Sequence, residues 1–166
     1  GAWTHKDAGA EAVKQTLPIP DYATGIQLMQ AALLARALER MEALDCVAFK
    51  VVHAKDVTGV QLLDETVLSA MAAFNTVAPS HNPPYIFAIR QFQQALPATP
   101  MIGSFETGFH ATMPPKAYLY SIPIALNKEH AIRRYGFHGA SHEYVTMRTT
   151  EFMERSDYKL ISCHLG

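Results

Sequence analysis

The sequence has no excess of charge of either sign. It contains 14 Lys and Arg residues against 15 Asp and Glu residues, which gives a formal net charge of −1. Proteins that bind nucleic acid or membrane surfaces usually carry a basic patch, so this balance argues against both partners. Charged residues make up only 17% of the chain and apolar residues 49%, which predicts a sizeable contact surface, for example with a partner subunit. At 166 residues, the chain has the usual length of one domain.

Long apolar runs and cysteines are also scarce. Arg, Glu or Gln interrupts the longest apolar runs, so none reaches the roughly 18 residues of a membrane-spanning helix. Residues 1–7 lack the basic start and apolar stretch of a signal peptide. Cys46 and Cys163 lie in two separate apolar runs and are predicted to be buried thiols of a reducing compartment. These features predict a soluble, cytoplasmic protein.

The common short motifs of nucleotide binding and nucleophilic catalysis are missing as well. No G-x-G-x-x-G, G-x-x-x-x-G-K-[ST], G-x-S-x-G or C-x-x-C pattern occurs. The chain does contain eight histidines. Four of them stand in distinctive segments with Gly, Pro or Phe neighbours: His81, His110, His138 and His142. His5, His53 and His130 are interpreted as core or cap histidines.

Hydrophobic periodicity and turn residues predict alternating helices and strands, which indicates the α/β class. The predicted helices span residues 6–15, 25–44, 64–75, 83–95 and 143–154, the last three capped by Asp64, Asn82 and Ser141. The predicted strands span residues 46–52, 101–106, 118–122 and 159–165, and residues 53–59 are predicted to form a polar turn.

Polar side chains stand where two of the predicted strands end, which is the usual place for ligands in α/β proteins. Lys50 is the only charge in an apolar strand. A buried lysine is costly unless it is paired or used, although a position at a sheet edge would let it reach solvent. Glu106 ends the next strand along the chain, where it could hold a metal ion, orient a nucleophile or serve only as a solvated cap.

A third polar place is residues 133–142, where glycines flank Phe137 and His138. Glycine lets the backbone approach a ligand closely, and an imidazole can donate a hydrogen bond to a charged oxygen. His138 and His142 have the spacing of a metal pair, but Gly139 interrupts a continuous helix and no third ligand is evident in the sequence. The residue pattern therefore predicts a polar site, without naming its reaction, from Lys50, His81, Glu106 and His138.

Residues 133–145, RRYGFHGASHEYV, closely resemble a signature of the acetate kinase (acetokinase) family. Further segments resemble the family in the same order: residues 4–8 (THKDA), 78–84 (APSHNPP), 105–115 (FETGFHATMPP) with 117–120 (AYLY), and 161–166 (ISCHLG). The resemblance therefore covers most of the chain.

The resemblance implies a phosphotransferase with an actin-like, sugar-kinase-like (ribonuclease H-like) ATPase fold, incomplete in this chain. Such a protein moves the γ-phosphoryl of ATP to acetate with Mg²⁺, giving acetyl phosphate, and is usually a homodimer. Residues 1–158 are then expected to be part of the N-terminal acyl-substrate domain with a helical insertion. Residues 159–166 are expected to be the first strand of a truncated nucleotide-binding domain.

The resemblance also implies roles for individual residues. Glu106 matches the catalytic acid, expected to bind Mg²⁺ or to position the carboxylate, and His138 matches the histidine that stabilises the transferring phosphoryl group. The residues that match the substrate site are Lys50, Val52, Ser80, His81 and Phe137. The residues that match the start of a nucleotide-phosphate loop are His164, Leu165 and Gly166.

Several of these positions depart from the family pattern. Lys50 stands where the family has an arginine, which replaces a planar fork by a point charge. Glu106 is one methylene longer than the family's aspartate, and a misplacement of about 1 Å can cost about a hundredfold in rate. Residues 53–56, HAKD, replace His-Gly-Gly-Glu, and Ser80 is polar where the family is usually apolar. These changes predict another acyl substrate or lost activity.

The family's N-terminal phosphate-binding hairpin and most of its nucleotide-binding domain have no counterpart in this sequence. We therefore expect that the 166-residue chain by itself does not transfer phosphate. The alternative is a non-catalytic relative that serves as a dimerisation or binding module.

Overall fold

The structure is a computed structural model that describes residues 2–6, 9 and 11–165. The chain forms two compact units. One consists of Gly1–Asp45 and Ala88–Thr99, and the other of Cys46–Phe87 and Pro100–Gly166. The predicted domain boundary after residue 158 stays a prediction.

The first unit contains an antiparallel hairpin followed by a helix. Strand β1 (Ala2–His5) pairs with β2 (Val13–Thr16), so the helix predicted for residues 6–15 is wrong. Gly9 lies between the two strands with a φ of +76°, a left-handed conformation that glycine adopts without strain and that suits a chain reversal. The four residues of β2 are too few to show a strand or a helical period. Only their pairing with β1 identifies them as a strand.

Helix α1 (Tyr22–Arg36) follows, with the Asp21 side chain accepting a hydrogen bond from the Thr24 amide. The prediction extended this helix to residue 44. The backbone instead closes it early, because the amides of Ala37 and Leu38 both donate to the Leu33 carbonyl. A separate 3₁₀ turn, Met41–Ala43, follows the helix. Its apolar residues continue the helical spacing, so the sequence pattern predicted a helix that is too long.

The second unit is built on a three-stranded sheet with the order β3-β5-β4. Strand β3 (Val47–Val51) runs parallel to β5 (Met101–Phe105), and β4 (Val60–Leu62) runs antiparallel to β5. The predicted strands at residues 46–52 and 101–106 are confirmed, whereas β4 was missed because it is only three residues long. The parallel pairing brings the ends of β3 and β5 to the same edge of the sheet.

Helix α2 (Glu65–Ala72) begins after Asp64, whose carboxylate accepts a hydrogen bond from the Val67 amide at 2.9 Å. The predicted cap is therefore confirmed. Helix α3 (Asn82–Ala95) confirms the predicted helix, but Asn82 is not its side-chain cap. The Asn82 amide group is turned inward and donates to the carbonyls of His53 and Met71, both at 2.8 Å.

The rest of the second unit is mainly helical: α4 (Pro115–Tyr118), α5 (Ile124–His130) and α6 (Gly139–Met153). The strand predicted for residues 118–122 is wrong, because α4 ends there and Pro123 follows. Helix α6 starts earlier than the predicted cap at Ser141, with left-handed His138 in the cap position. Residues 159–165 form no strand, because no described strand pairs with them.

The predicted burial of the two cysteines is also wrong, since Cys46 and Cys163 are both exposed. Apolar neighbours in sequence do not bury a residue that lies just outside a strand or in an irregular segment. Among the described residues, the helices are all too short or too polar to cross a bilayer.

Candidate active site

The site begins at the edge where β3 and β5 end together. Lys50 lies opposite Ser104 in the parallel register, and the Glu106 amide donates to the Val51 carbonyl at 2.9 Å. This pairing brings the Lys50 ammonium to 3.1 Å from Oε1 of Glu106. The Glu106 side chain is 9% exposed and that of Lys50 is 52% exposed. Lys50 therefore neutralises a nearly buried carboxylate and still has hydrogen-bond donors facing solvent.

The turn before α6 forms the opposite side of the site. Gly136, Phe137 and His138 are three consecutive residues with φ values of +84°, +59° and +50°. The left-handed conformation costs non-glycine residues on the order of 1 kcal/mol or more each, so the surrounding structure must hold it. Such strain is concentrated at ligand sites in proteins.

Glu106 provides part of that hold. The His138 amide donates to Oε2 of Glu106 at 3.2 Å, and the Gly139 amide donates to the Glu106 carbonyl at 2.9 Å. A Cβ atom at Gly139 would lie 2.3 Å from that carbonyl oxygen. Only glycine therefore allows the turn to approach Glu106 this closely.

His110 holds the same turn from another direction. Its Nε2 lies 2.7 Å from the Phe137 carbonyl oxygen, and a Cβ atom at Gly136 would lie 2.2 Å from Cδ2 of the His110 ring. The sequence singled out His110 by its setting without assigning it a role. Its part in fixing the turn could be recognised only from the fold.

These two elements and the segment before α3 enclose a cavity of about 430 Å³. Its lining contains all seven predicted catalytic and substrate-site residues: Lys50, Val52, Ser80, His81, Glu106, Phe137 and His138. Three further lining residues, Val77, Ala78 and Pro79, were not predicted. Two of them belong to the segment at residues 78–84 whose resemblance to the family had been noted, so that segment was the available signal.

The cavity has distinct polar and apolar parts. Lys50 and Glu106 form its ion pair, and the imidazoles of His81 and His138 add hydrogen-bonding nitrogens. Val52 is 8% exposed and, with the Phe137 ring, offers an apolar surface. A small acyl group bearing one carboxylate fits such a lining.

The residues predicted for nucleotide phosphates are only partly associated with this site. The His164 ring stacks on the His138 ring with a centroid distance of 4.2 Å and an angle of 7°, and its Nδ1 lies 3.0 Å from Oγ of Ser141. Leu165 is 92% exposed, and Gly166 lies outside the described residues. His164 alone is therefore placed against a residue of the cavity.

A buried aromatic cluster adjoins the cavity at His53. Its ring centroid lies 4.3 Å from that of Tyr135, 4.5 Å from that of Phe74 and 5.8 Å from that of Phe137. His53 is 1% exposed, which confirms its interpretation as a core histidine. Burial lowers the pKa of its imidazole, and the Asp56 carboxylate opposes that shift.

The described residues contain no cluster of three or more His, Cys, Asp or Glu side chains with the arrangement of a metal site. Glu106 is the single acidic residue among those lining the cavity. This donor set fits Mg²⁺ bound together with substrate, because Mg²⁺ in phosphoryl-transfer sites commonly uses one or two carboxylates, phosphate oxygens and water.

Comparison with known proteins shows the family to which this chain belongs. The acetokinase family model matches residues 2–166. The chain is 39% identical to the acetate kinase of Alkaliphilus metalliredigens over 168 residues, which covers 98% of this chain and 42% of that protein. It is 38% identical to the acetate kinase of Natranaerobius thermophilus with the same coverage.

Solved structures agree with the fold. A propionate kinase from Francisella tularensis superposes with a TM-score of 0.82 at 29% identity, and acetate kinase from Porphyromonas gingivalis with 0.79 at 26%. Each match covers 93% of this chain and 40% of the other, so the chain spans about two fifths of the length of its relatives. This chain belongs to the acetokinase family, and its mixed α/β structure is part of the kinase fold.

Proposed function

We propose that this chain forms the acyl-substrate site of a carboxylate kinase, which moves the γ-phosphoryl of ATP to a short-chain carboxylate, with acetate giving acetyl phosphate. One observation carries the proposal: seven site residues from four separate stretches of sequence line one cavity around the Lys50–Glu106 ion pair. The cavity combines the half-exposed ammonium group of Lys50 with a small apolar surface. A short-chain carboxylate requires both, a positive charge for its carboxylate and an apolar contact for its alkyl group.

Lys50 binds the substrate carboxylate in this proposal, using ammonium donors that Glu106 leaves free. Val52 and Phe137 contact the short alkyl group and limit its length. Ammonium is a point charge without the planar fork of a guanidinium, so it holds a carboxylate with less orientational control. Relatives include proteins named acetate kinase and propionate kinase, and we propose that this chain accepts acids of two to four carbons.

His138 acts on the phosphoryl group. A carboxylate oxygen attacks the γ-phosphorus in line, the bond to the ADP oxygen breaks, and ADP leaves with the electron pair. A hydrogen bond from the His138 imidazole stabilises negative charge on the equatorial oxygens during the transfer. His164, Leu165 and Gly166 are proposed to lie near the nucleotide phosphates.

Glu106 is proposed to hold Mg²⁺ when ATP is bound, and the ion would neutralise phosphate charge there. The chain's own part is to keep the carboxylate oriented between Lys50 and the His138 amide. We further propose a homodimer in the cytoplasm.

One observation favours a different function. Both carboxylate oxygens of Glu106 already have partners, Lys50 at one and the His138 amide at the other. A carboxylate satisfied in this way could serve structure alone, as in a non-catalytic dimerisation or binding module. Measurement of carboxylate binding separates the two functions.

The experiment is a titration of the labelled chain with acetate, propionate and butyrate, followed by NMR, beside an ADP-release assay with ATP and Mg²⁺. Amide signals of Val52, Phe137 and His138 should shift with saturation at millimolar acid, because Lys50 supplies the charge. Lys50→Met should weaken binding at least about tenfold, whereas Lys116→Met, at an exposed position, should leave it unchanged.

We expect no ADP release from the chain alone. Turnover that Glu106→Ala abolishes would contradict that expectation and would establish the complete activity in this chain. No binding of any of the three acids, in a folded protein, would reject the carboxylate site and favour the binding-module function.

A further inference from the structure

His53 occupies an environment that is unusual for a polar side chain. Its ring is 1% exposed and is surrounded by Phe74, Tyr135 and Phe137. Within the described part of the chain, neither Nδ1 nor Nε2 has a hydrogen-bond partner. A buried imidazole without partners costs free energy, so its presence here calls for a physical reason.

The same residue joins three walls of the cavity. It directly follows Val52, which comes just after the last residue of β3. Its carbonyl accepts a hydrogen bond from the Asn82 side chain at 2.8 Å, and Asn82 follows Ser80 and His81 at the start of α3. Its ring meets the Phe137 ring nearly edge-on, at an angle of 84°. His53 is therefore the residue through which these three segments are held at fixed distances.

The position of Phe137 also determines that of the amide beside it. Phe137 is left-handed, its carbonyl is bound by His110, and the next amide, of His138, donates to Glu106. A shift of the Phe137 ring would move this peptide and lengthen the bond to Glu106. Sub-ångström changes of this kind matter in a site that must position reacting groups.

A proton on His53 would disturb this arrangement. Imidazolium has two N–H donors, and among the described residues neither nitrogen of this ring has a hydrogen-bond partner. Burial lowers the pKa of His53, with Asp56 as the charge that opposes the shift. The segments packed around His53 also carry the Tyr135 phenol, whose pKa is raised by burial. Arg133 lies beside that phenol, and His81 lies at the start of α3. The His53 ring is thus neutral at neutral pH, and protonating it requires opening the aromatic cluster.

We propose that His53 is a positioning residue whose uncharged ring fixes Phe137, and with it the His138 amide, against Glu106, and that protonation of this ring releases the turn and distorts the acyl cavity. The positioning of Phe137 and the His138 amide by His53 is inferred from the aromatic cluster. The effect on substrate binding rests on the proposed carboxylate site.

The sign of the pH effect follows from linkage. The unfolded chain takes up a proton at His53 near an ordinary pKa of about 6.5, and the folded chain only at a lower pH. The stability contributed by the neutral ring is fully present above about pH 6.5 and is lost as the pH falls towards the folded pKa.

The test compares the wild type with His53→Phe, which keeps an aromatic ring but cannot be protonated. A long-range ¹H–¹⁵N spectrum of the imidazoles should show that His53 takes up its proton only below the ordinary imidazole pKa of about 6.5. In the wild type, the His138 and Gly139 amide signals should move together with the His53 imidazole signal on acidification, and acetate should bind about twofold more weakly at the midpoint of that titration and about tenfold more weakly one pH unit below it. His53→Phe should reduce that change to less than about twofold.

Two further variants keep the test decisive. Asp56→Asn should move the transition to lower pH, because it removes the charge that favours protonation of His53. His130→Gln, which removes an exposed imidazole, should leave the transition unchanged. If His53→Phe does not fold, the wild-type imidazole titration still decides the protonation state.

Ordinary titration of His53, or an acid-induced shift of the His138 amide that persists in His53→Phe, would overturn the inference. Absence of acetate binding at every pH would reject the carboxylate site only. The amide and imidazole titrations do not require a ligand, so they would still test the positioning role of His53.

Discussion

The two sides of the cavity are built by different means. The strand side, with Lys50, Val52 and Glu106, is positioned by the regular hydrogen bonds between β3 and β5. The turn side, residues 136–139, is positioned by close contacts of glycines and by left-handed backbone. A regular sheet can accommodate a small displacement at the end of a strand. The turn cannot, because Gly136 and Gly139 have no room for a Cβ atom.

The largest effect is expected on the turn side, from Gly139→Ala. The added Cβ would lie 2.3 Å from the Glu106 carbonyl oxygen, which is backbone and cannot rotate away. We expect a loss of about 3 kcal/mol or more in the free energy of unfolding, measured by urea denaturation, together with loss of acetate binding.

Gly59→Ala is the matched control for this change. Gly59 is left-handed, with a φ of +71°, and among the described residues no atom lies within 4 Å of a Cβ built there. It should lose only about 1 kcal/mol, from backbone strain. Equal losses in the two variants would mean that the contact with Glu106 does not constrain the turn.

An intermediate effect is expected on the strand side, from Gly103→Ala. The added Cβ would lie 2.6 Å from Cδ2 of Leu63, a side chain that can rotate partly away. The expected loss is about 1–3 kcal/mol. Acetate affinity should be nearly preserved, because the sheet can absorb the shift before Glu106. A loss of binding larger than that of Gly139→Ala would reverse the comparison.

The smallest effect on stability is expected from Glu106→Gln, which alters the connection between the two sides without changing its shape. The amide oxygen can still accept from His138, but the ion pair with Lys50 is lost. Lys50 is half exposed, so the expected loss is about 1 kcal/mol. Thermal unfolding checks this, and a loss of more than about 3 kcal/mol would identify the ion pair as a main support of the site.

The strand side could largely be predicted from the sequence. Apolar runs at residues 46–52 and 101–106 ended in polar side chains, and parallel pairing placed Lys50 and Glu106 together as the α/β pattern predicts. The turn side was found through the resemblance of residues 133–145 to a family segment. Its glycines indicated close approach, but the left-handed conformations of Phe137 and His138 depend on contacts with residues distant in sequence.

Several of the elements that were predicted wrongly depend on a pairing partner. Residues 159–165 have the apolar pattern of a strand, yet they have no strand to pair with among the described residues. Residues 2–5 and 13–16 pair as two antiparallel strands although residues 6–15 have a helical pattern. The role of His110 in holding the turn was missed for a related reason, because a hydrogen bond across the fold leaves no periodic signal in the sequence.

The start of α6 has a consequence for the order in which the protein folds. The cap position of this helix has no side-chain hydrogen bond of its own, and the amides at its start are bound by Glu106, about thirty residues earlier in the chain. An isolated peptide of residues 133–154 would therefore fray at its first turn, since helix initiation is costly without local support. We expect this end of α6 to become protected from hydrogen exchange only after β5 has joined the sheet.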